Sequence, residues 1–79
     1  MNDHVHNTLE QIFRIVLQLD QGKDVATVRR ISEPRWDSLA HTSIIAAIES
    51  EFSIRIDVKD DARVTSFTAA ELLLREKGL

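Results

Sequence analysis

Residues Arg35 to Phe52 read RWDSLAHTSIIAAIESEF, and the reading of this stretch decides the fold. Leu39, Thr42, Ile45, Ile48 and Phe52 recur at helical spacing on one side, and Ile44 and Ala47 widen the stripe. The spacing predicts an amphipathic helix beginning near Asp37. Asp and Ser are both good N-caps, because a short side-chain oxygen accepts from the unpaired N–H groups of the first turn. Only one of them can hold that position. Asp37 also meets the positive end of the helix dipole, so it is the expected cap. Ser38 then falls in the first turn, its hydroxyl facing outward with no structural duty.

An amphipathic helix must bury its stripe against other elements, and the rest of the chain supplies them. Val5, Leu9, Ile12, Phe13, Val16 and Leu17 form an earlier helical stripe, with Asn2 or Asp3 as cap and Asp20-Gln21-Gly22 as the stop. Residues 21–36 form a long connection broken by Pro34, in which Val25, Val28 and Ile31 are expected to pin an ordered loop to the core. Beyond Phe52, the β-branched stretch from Ser53 to Asp57 leaves the helix, and VKDDAR at 58–63 suits one short helical turn. Ser66 caps a last helix from Phe67 to about Lys77, although Thr68 and Glu71 also have capping-box spacing. Phe67, Ala70, Leu73 and Leu74 line its inner face and Gly78 ends it. Gly22, Gly78 and Pro34 are the only glycines and proline, too few for a hairpin-rich sheet. The expected fold is all-α: a small four-helix bundle of three long helices, one short third helix and a long first loop, forming one domain over residues 1–79.

Composition narrows the function. With 43% hydrophobic and 29% charged residues the chain has the means to fold. A net charge of −3 disfavours a nucleic-acid partner, and an acidic central helix disfavours a helix-turn-helix reader. There is no cysteine, hence no disulfide, thiolate metal site or cysteine nucleophile. The opening MNDHVHNTLEQ lacks the basic flank and apolar core of a secretory signal. No apolar run approaches a membrane span, so a cytoplasmic monomer without membrane insertion is expected. His4 and His6 lack further ligands and read as solvated residues of the N-terminus; no metal site is expected. Trp36 reads as a half-buried anchor for the loop.

What Ser38 does remains the central question. As a nucleophile it needs a base and a charge stabiliser. His41 lies one turn on and Asp37 precedes it, but the local turn puts no acid behind the histidine, and no glycine-flanked strained turn presents the serine. A hydrolase is therefore disfavoured, no catalytic residue is assigned, and His41 reads as a surface residue tuning local charge. Covalent attachment fits better, because a first-turn hydroxyl sits beside free N–H groups and the positive dipole end, which suit a phosphate ester.

WDSLAHTSIIAAIESEF resembles the D-S-L motif and recognition helix of the acyl carrier protein family. The resemblance continues through IRI, DVKDDARVT and the TSF-TAAELL of the last helix; the first helix matches in length and pattern only, and residues 5–76 are covered. It implies that Ser38 receives 4′-phosphopantetheine from coenzyme A as a covalent cofactor. It implies that Asp37 assists the magnesium-dependent phosphopantetheinyl transferase (holo-acyl-carrier-protein synthase). Leu39 matches an exposed leucine that docks partner enzymes, Glu49 and Glu51 match an acidic cluster facing basic partner patches, and Ala46 stands where a larger apolar contact residue is common. The implied role is non-catalytic: thioesters held for acyl-loading and acyl-transferring enzymes of fatty-acid, lipid or polyketide biosynthesis. The sequence departs from the family pattern at Pro34-Arg35-Trp36, where glycine is common, and at Ser43, where an acid is common. Trp36 is similar to specialised stand-alone bacterial carriers. These departures bear on partner choice, which electrostatic complementarity sets.

Charge is distributed to match. Asp37, Glu49, Glu51, Asp57, Asp60 and Asp61 outnumber Arg55 and Lys59 between residues 37 and 61. Between residues 21 and 35, Lys23, Arg29, Arg30 and Arg35 outnumber Asp24 and Glu33. Two alternatives stay open: an aminoacyl, D-alanyl or peptidyl carrier of the same fold, and a helical interaction module that never takes the prosthetic group.

Overall fold

The computed structural model describes residues 3–79, and those residues fold into four α-helices: α1 (Asp3–Leu17), α2 (Ser38–Phe52), α3 (Val58–Arg63) and α4 (Phe67–Glu76). No strand occurs among the described residues; a single antiparallel bridge joins Arg29 to Ser66. The expected cap at Asn2 lies outside the described residues, and Asp3 is already within α1. α1 packs against both α2 and α4, and α3 lies against α4. The radius of gyration, 11.5 Å, is what a chain of this length reaches when fully collapsed, about 12 Å.

The three long helices end alike, each with a left-handed residue and backbone bonds reaching back into the last turn. After α1 that residue is Gln18 (φ 53°), with Leu19 N–H donating to the Arg14 carbonyl at 3.0 Å. After α2 it is Ser53 (φ 54°), and after α4 it is Gly78 (φ 89°). α1 therefore stops three residues before the expected Asp20-Gln21-Gly22. Arg14 reinforces the stop by donating to the carbonyls of Asp20 at 3.1 Å and Lys23 at 2.9 Å, tying the helix end to the loop.

The core is one cluster built on the stripes of α1 and α4. Val5, Leu9, Ile12, Phe13 and Leu17 from α1 meet Phe67, Ala70, Leu73 and Leu74 from α4. Phe13 is its aromatic centre, edge-on to Trp36 at 5.3 Å and to Phe67 at 5.2 Å between ring centroids. α2 buries most of its expected stripe, with Ala47 and Phe52 also packed partly buried against the core, but the start of the stripe is shifted. His41, Ile44, Ile45 and Ile48 are buried, while Leu39 and Thr42 are exposed. The start is shifted because a polar residue, His41, occupies a buried position and an apolar one, Leu39, does not.

The long connection is ordered by two 3-10 turns, Val25–Thr27 and Arg30–Ser32. Val25 and Val28 are buried pins, as the pattern suggests. Ile31 is not: it is 89% exposed. Backbone bonds replace it, Arg30 N–H donating to the Thr65 carbonyl at 2.9 Å and Phe67 N–H to the Val28 carbonyl at 3.1 Å. His6 also departs from its expected solvated state. It lies half-buried on α1, its Nδ1 2.7 Å from Glu71 Oε2 and its ring edge-on to Phe67. Among the described residues no helix is long and apolar enough to cross a membrane.

Candidate functional site

The site is built at the start of α2. Asp37 is extended (φ −90°, ψ −173°), and its Oδ1 accepts the Ala40 N–H at 2.8 Å while its carbonyl accepts the His41 N–H at 2.9 Å. The capping duty is thereby filled. Ser38, the first helical residue, is exposed, and only its carbonyl is engaged, accepting the Thr42 hydroxyl at 3.1 Å. Its own hydroxyl makes no hydrogen bond among the described residues. It stands beside the unpaired N–H groups of the first turn, where a negative ester is stabilised.

Behind it lies an arrangement that periodicity missed. His41 is 7% exposed, not a surface residue. Its Nδ1 accepts from the Trp36 indole Nε1–H at 3.0 Å, and its Nε2 lies 2.8 Å from Asp61 Oδ1. An indole nitrogen can only donate, so Nδ1 must be the acceptor and Nε2 carries the hydrogen given to Asp61. An acid does therefore stand behind the histidine, supplied not by the local turn but by α3. Both ring nitrogens are engaged within the chain, so His41 is not free to take a proton from Ser38. Trp36 is 3% exposed, fully buried where a half-buried anchor is expected, and its indole stacks on the imidazole at 6.0 Å. Its indole N–H needs an acceptor once buried, and this need is the only signal in the sequence for a buried histidine nearby.

The residues around Ser38 separate into open and committed groups. Leu39 is 76% exposed, and with Val16, Pro34 and Ala40 it forms the apolar part of an open groove of ≈ 480 Å³. Gln18, Arg35, Asp37 and Ser43 supply its polar part. Arg35 is steadied there by donating to the Gln18 carbonyl. Ala46 and Glu51 are exposed further along α2. Glu49 is half-buried, and its Oε2 accepts the Ile56 N–H at 2.9 Å, so it braces the connection to α3. Asp57 caps α3 through the Asp60 N–H at 2.8 Å, and Asp60 pairs with Lys77 at 3.1 Å. Of the six acids between residues 37 and 61, only Glu51 has no bonded role among the described residues.

No group of three or more metal-ligating side chains occurs among the described residues. Comparison of the chain with protein-family models, with curated proteins and with solved structures finds no match.

Proposed function

We propose that the chain is a carrier of the acyl-carrier-protein type, with 4′-phosphopantetheine esterified to Ser38. One observation carries this reading: an exposed serine hydroxyl with no internal partner, in the first turn of a helix whose cap is already provided by Asp37. The resemblance of residues 5–76 to that family supports it, as does the all-helical bundle.

In the loading step the Ser38 oxygen attacks the coenzyme A phosphorus that bears the pantetheine arm. The new O–P bond forms as the pyrophosphate P–O bond breaks, and adenosine 3′,5′-bisphosphate leaves. The serine proton goes to a base of the transferase, because both His41 nitrogens are engaged within this chain. The attached group supplies a thiol that holds an acyl load as a thioester. The chain supplies the rest: a fixed root for the tether beside the helix N-terminus, and an adjoining groove floored by Leu39 and Ala40. Leu39, Ala46 and Glu51 give partner enzymes an exposed apolar and acidic surface. Contacts of exposed charges are weak and screened by salt, which suits a carrier that must be released.

The test is intact mass after incubation with coenzyme A, magnesium and a broad-specificity phosphopantetheinyl transferase. One phosphopantetheine is expected on the wild-type chain and none on Ser38→Ala. A chain left unmodified by a competent transferase is a helical interaction module instead. An aminoacyl, D-alanyl or peptidyl load would use the same hydroxyl, and the mass of the species isolated from cells separates these from acyl.

A further inference from the structure

Four cations of this chain are paired with acids. Arg14 pairs with Glu10, Arg63 with Glu76, Arg75 with Glu71 and Lys77 with Asp60. Arg29 and Arg30, like Lys23, Arg55 and Lys59, have neither a carboxylate partner nor a side-chain hydrogen bond among the described residues, but they alone of these five line a common pocket. Together with Ile31, Thr65 and Ser66 they wall an open pocket of ≈ 450 Å³, within the range of small-molecule sites of about 300–1,000 Å³. No acid lines it. In a chain of net charge −3 it is a local positive exception.

The two sides of the pocket are tied together by the fold itself. The Arg29–Ser66 bridge and the backbone bonds Arg30 to Thr65 and Phe67 to Val28 hold its two sides together. Buried Val28 and Val64 anchor those sides to the core. Ile31, 89% exposed, stands in water between these fastened segments. Two guanidinium groups without counter-ions ask for an anion with paired oxygens, which an Arg fork binds best. A branched aliphatic side chain beside them asks for apolar surface. A free inorganic ion satisfies the first demand and an uncharged lipid the second. An anion on an aliphatic stem satisfies both.

We infer that this pocket binds an organic carboxylate borne on a short aliphatic chain, its oxygens on Arg29 and Arg30 and its stem against Ile31. The inference makes no use of Ser38 and survives failure of the carrier reading. Its test is amide-resolved NMR of the full chain titrated with octanoate below its micelle concentration, beside acetate, 1-octanol and inorganic phosphate. Octanoate should shift the amides of Arg29–Ser32 and Thr65–Phe67 saturably, with acetate, octanol and phosphate each weaker by about tenfold or more. Arg29→Ala with Arg30→Ala, and separately Ile31→Gln, should each weaken octanoate by about tenfold. These side chains carry no bond of the frame, so helicity is retained; if one variant unfolds, the other decides. Octanoate binding unchanged in a folded variant overturns the inference. So does phosphate binding as tightly as octanoate, and so do shifts spread equally over Ile15, Val58 and Leu72, which report adhesion to any exposed apolar residue.

Discussion

His41→Leu tests the buried line from Trp36 through His41 to Asp61. Leucine nearly matches the imidazole in volume, so it opens little cavity, but it strands the Trp36 indole N–H at a site 3% exposed. A buried donor left without an acceptor costs about 1–3 kcal/mol. Asp61 also loses its partner, but its side chain is 43% exposed and water can replace the bond. The expected loss is about 2 kcal/mol, or about 10 °C in Tm for a domain of this size. Trp36→Phe removes the donor itself and costs about 2 kcal/mol through the cavity it leaves. In that background His41→Leu strands no indole and removes an imidazole that has already lost its donor. Its cost should fall below about 1 kcal/mol, giving a coupling energy of about 1 kcal/mol or more. Urea unfolding followed by circular dichroism measures all four corners without relying on Trp fluorescence. Additivity within about 0.3 kcal/mol would refute the link.

Three further outcomes follow from the geometry. Glu49→Lys should cost about 1 kcal/mol, because it removes the acceptor of the Ile56 N–H, whereas Glu51→Lys should leave the urea midpoint unchanged and slow partner-dependent transfer alone. Hydrogen bonding to Arg63 holds the Glu76 carboxyl below the usual carboxylate value of 4.5, against a smaller opposing effect of desolvation. Its stabilising contribution is therefore complete at neutral pH and is lost as pH falls through that depressed value; wild type and Glu76→Gln should differ at pH 7 and converge in strong acid, as read by urea midpoints. Gln18→Gly should stabilise the chain by about 1 kcal/mol in the same assay, since the residue sits at φ 53° where a Cβ is strained.

The helices were legible because their signals are local. The stripes of α1 and α4 repeat within a few residues, and Asp37 and Ser66 each cap a turn three residues ahead. What was not legible depends on partners distant in the chain. Periodicity scores a histidine as polar and turns it outward; only a donor at Trp36 and an acceptor at Asp61, twenty residues away, make it a buried residue. Ile31 errs in the opposite sense. Its apolar character predicts a pin, but the loop is already fastened at Val28 and by backbone bonds to Thr65 and Phe67, which leave it outside. The end of α1 escaped for a further reason: a left-handed glutamine carries no sequence mark of a stop. At the candidate site, the exposed position of Ser38 follows from the Asp37 cap. The commitment of Glu49 to Ile56 does not, because it depends on how the chain turns after Phe52.

α3 contributes no buried residue of its own. Its attachments are polar: Asp61 to His41, Asp60 to Lys77, Arg63 to Glu76. Little apolar surface would be uncovered if it swung out, so its detachment should be nearly denaturant-insensitive yet respond strongly to ionic strength. Amide protons of residues 58–63 should then exchange through brief local opening long before those of α1 and α4, and faster in concentrated salt.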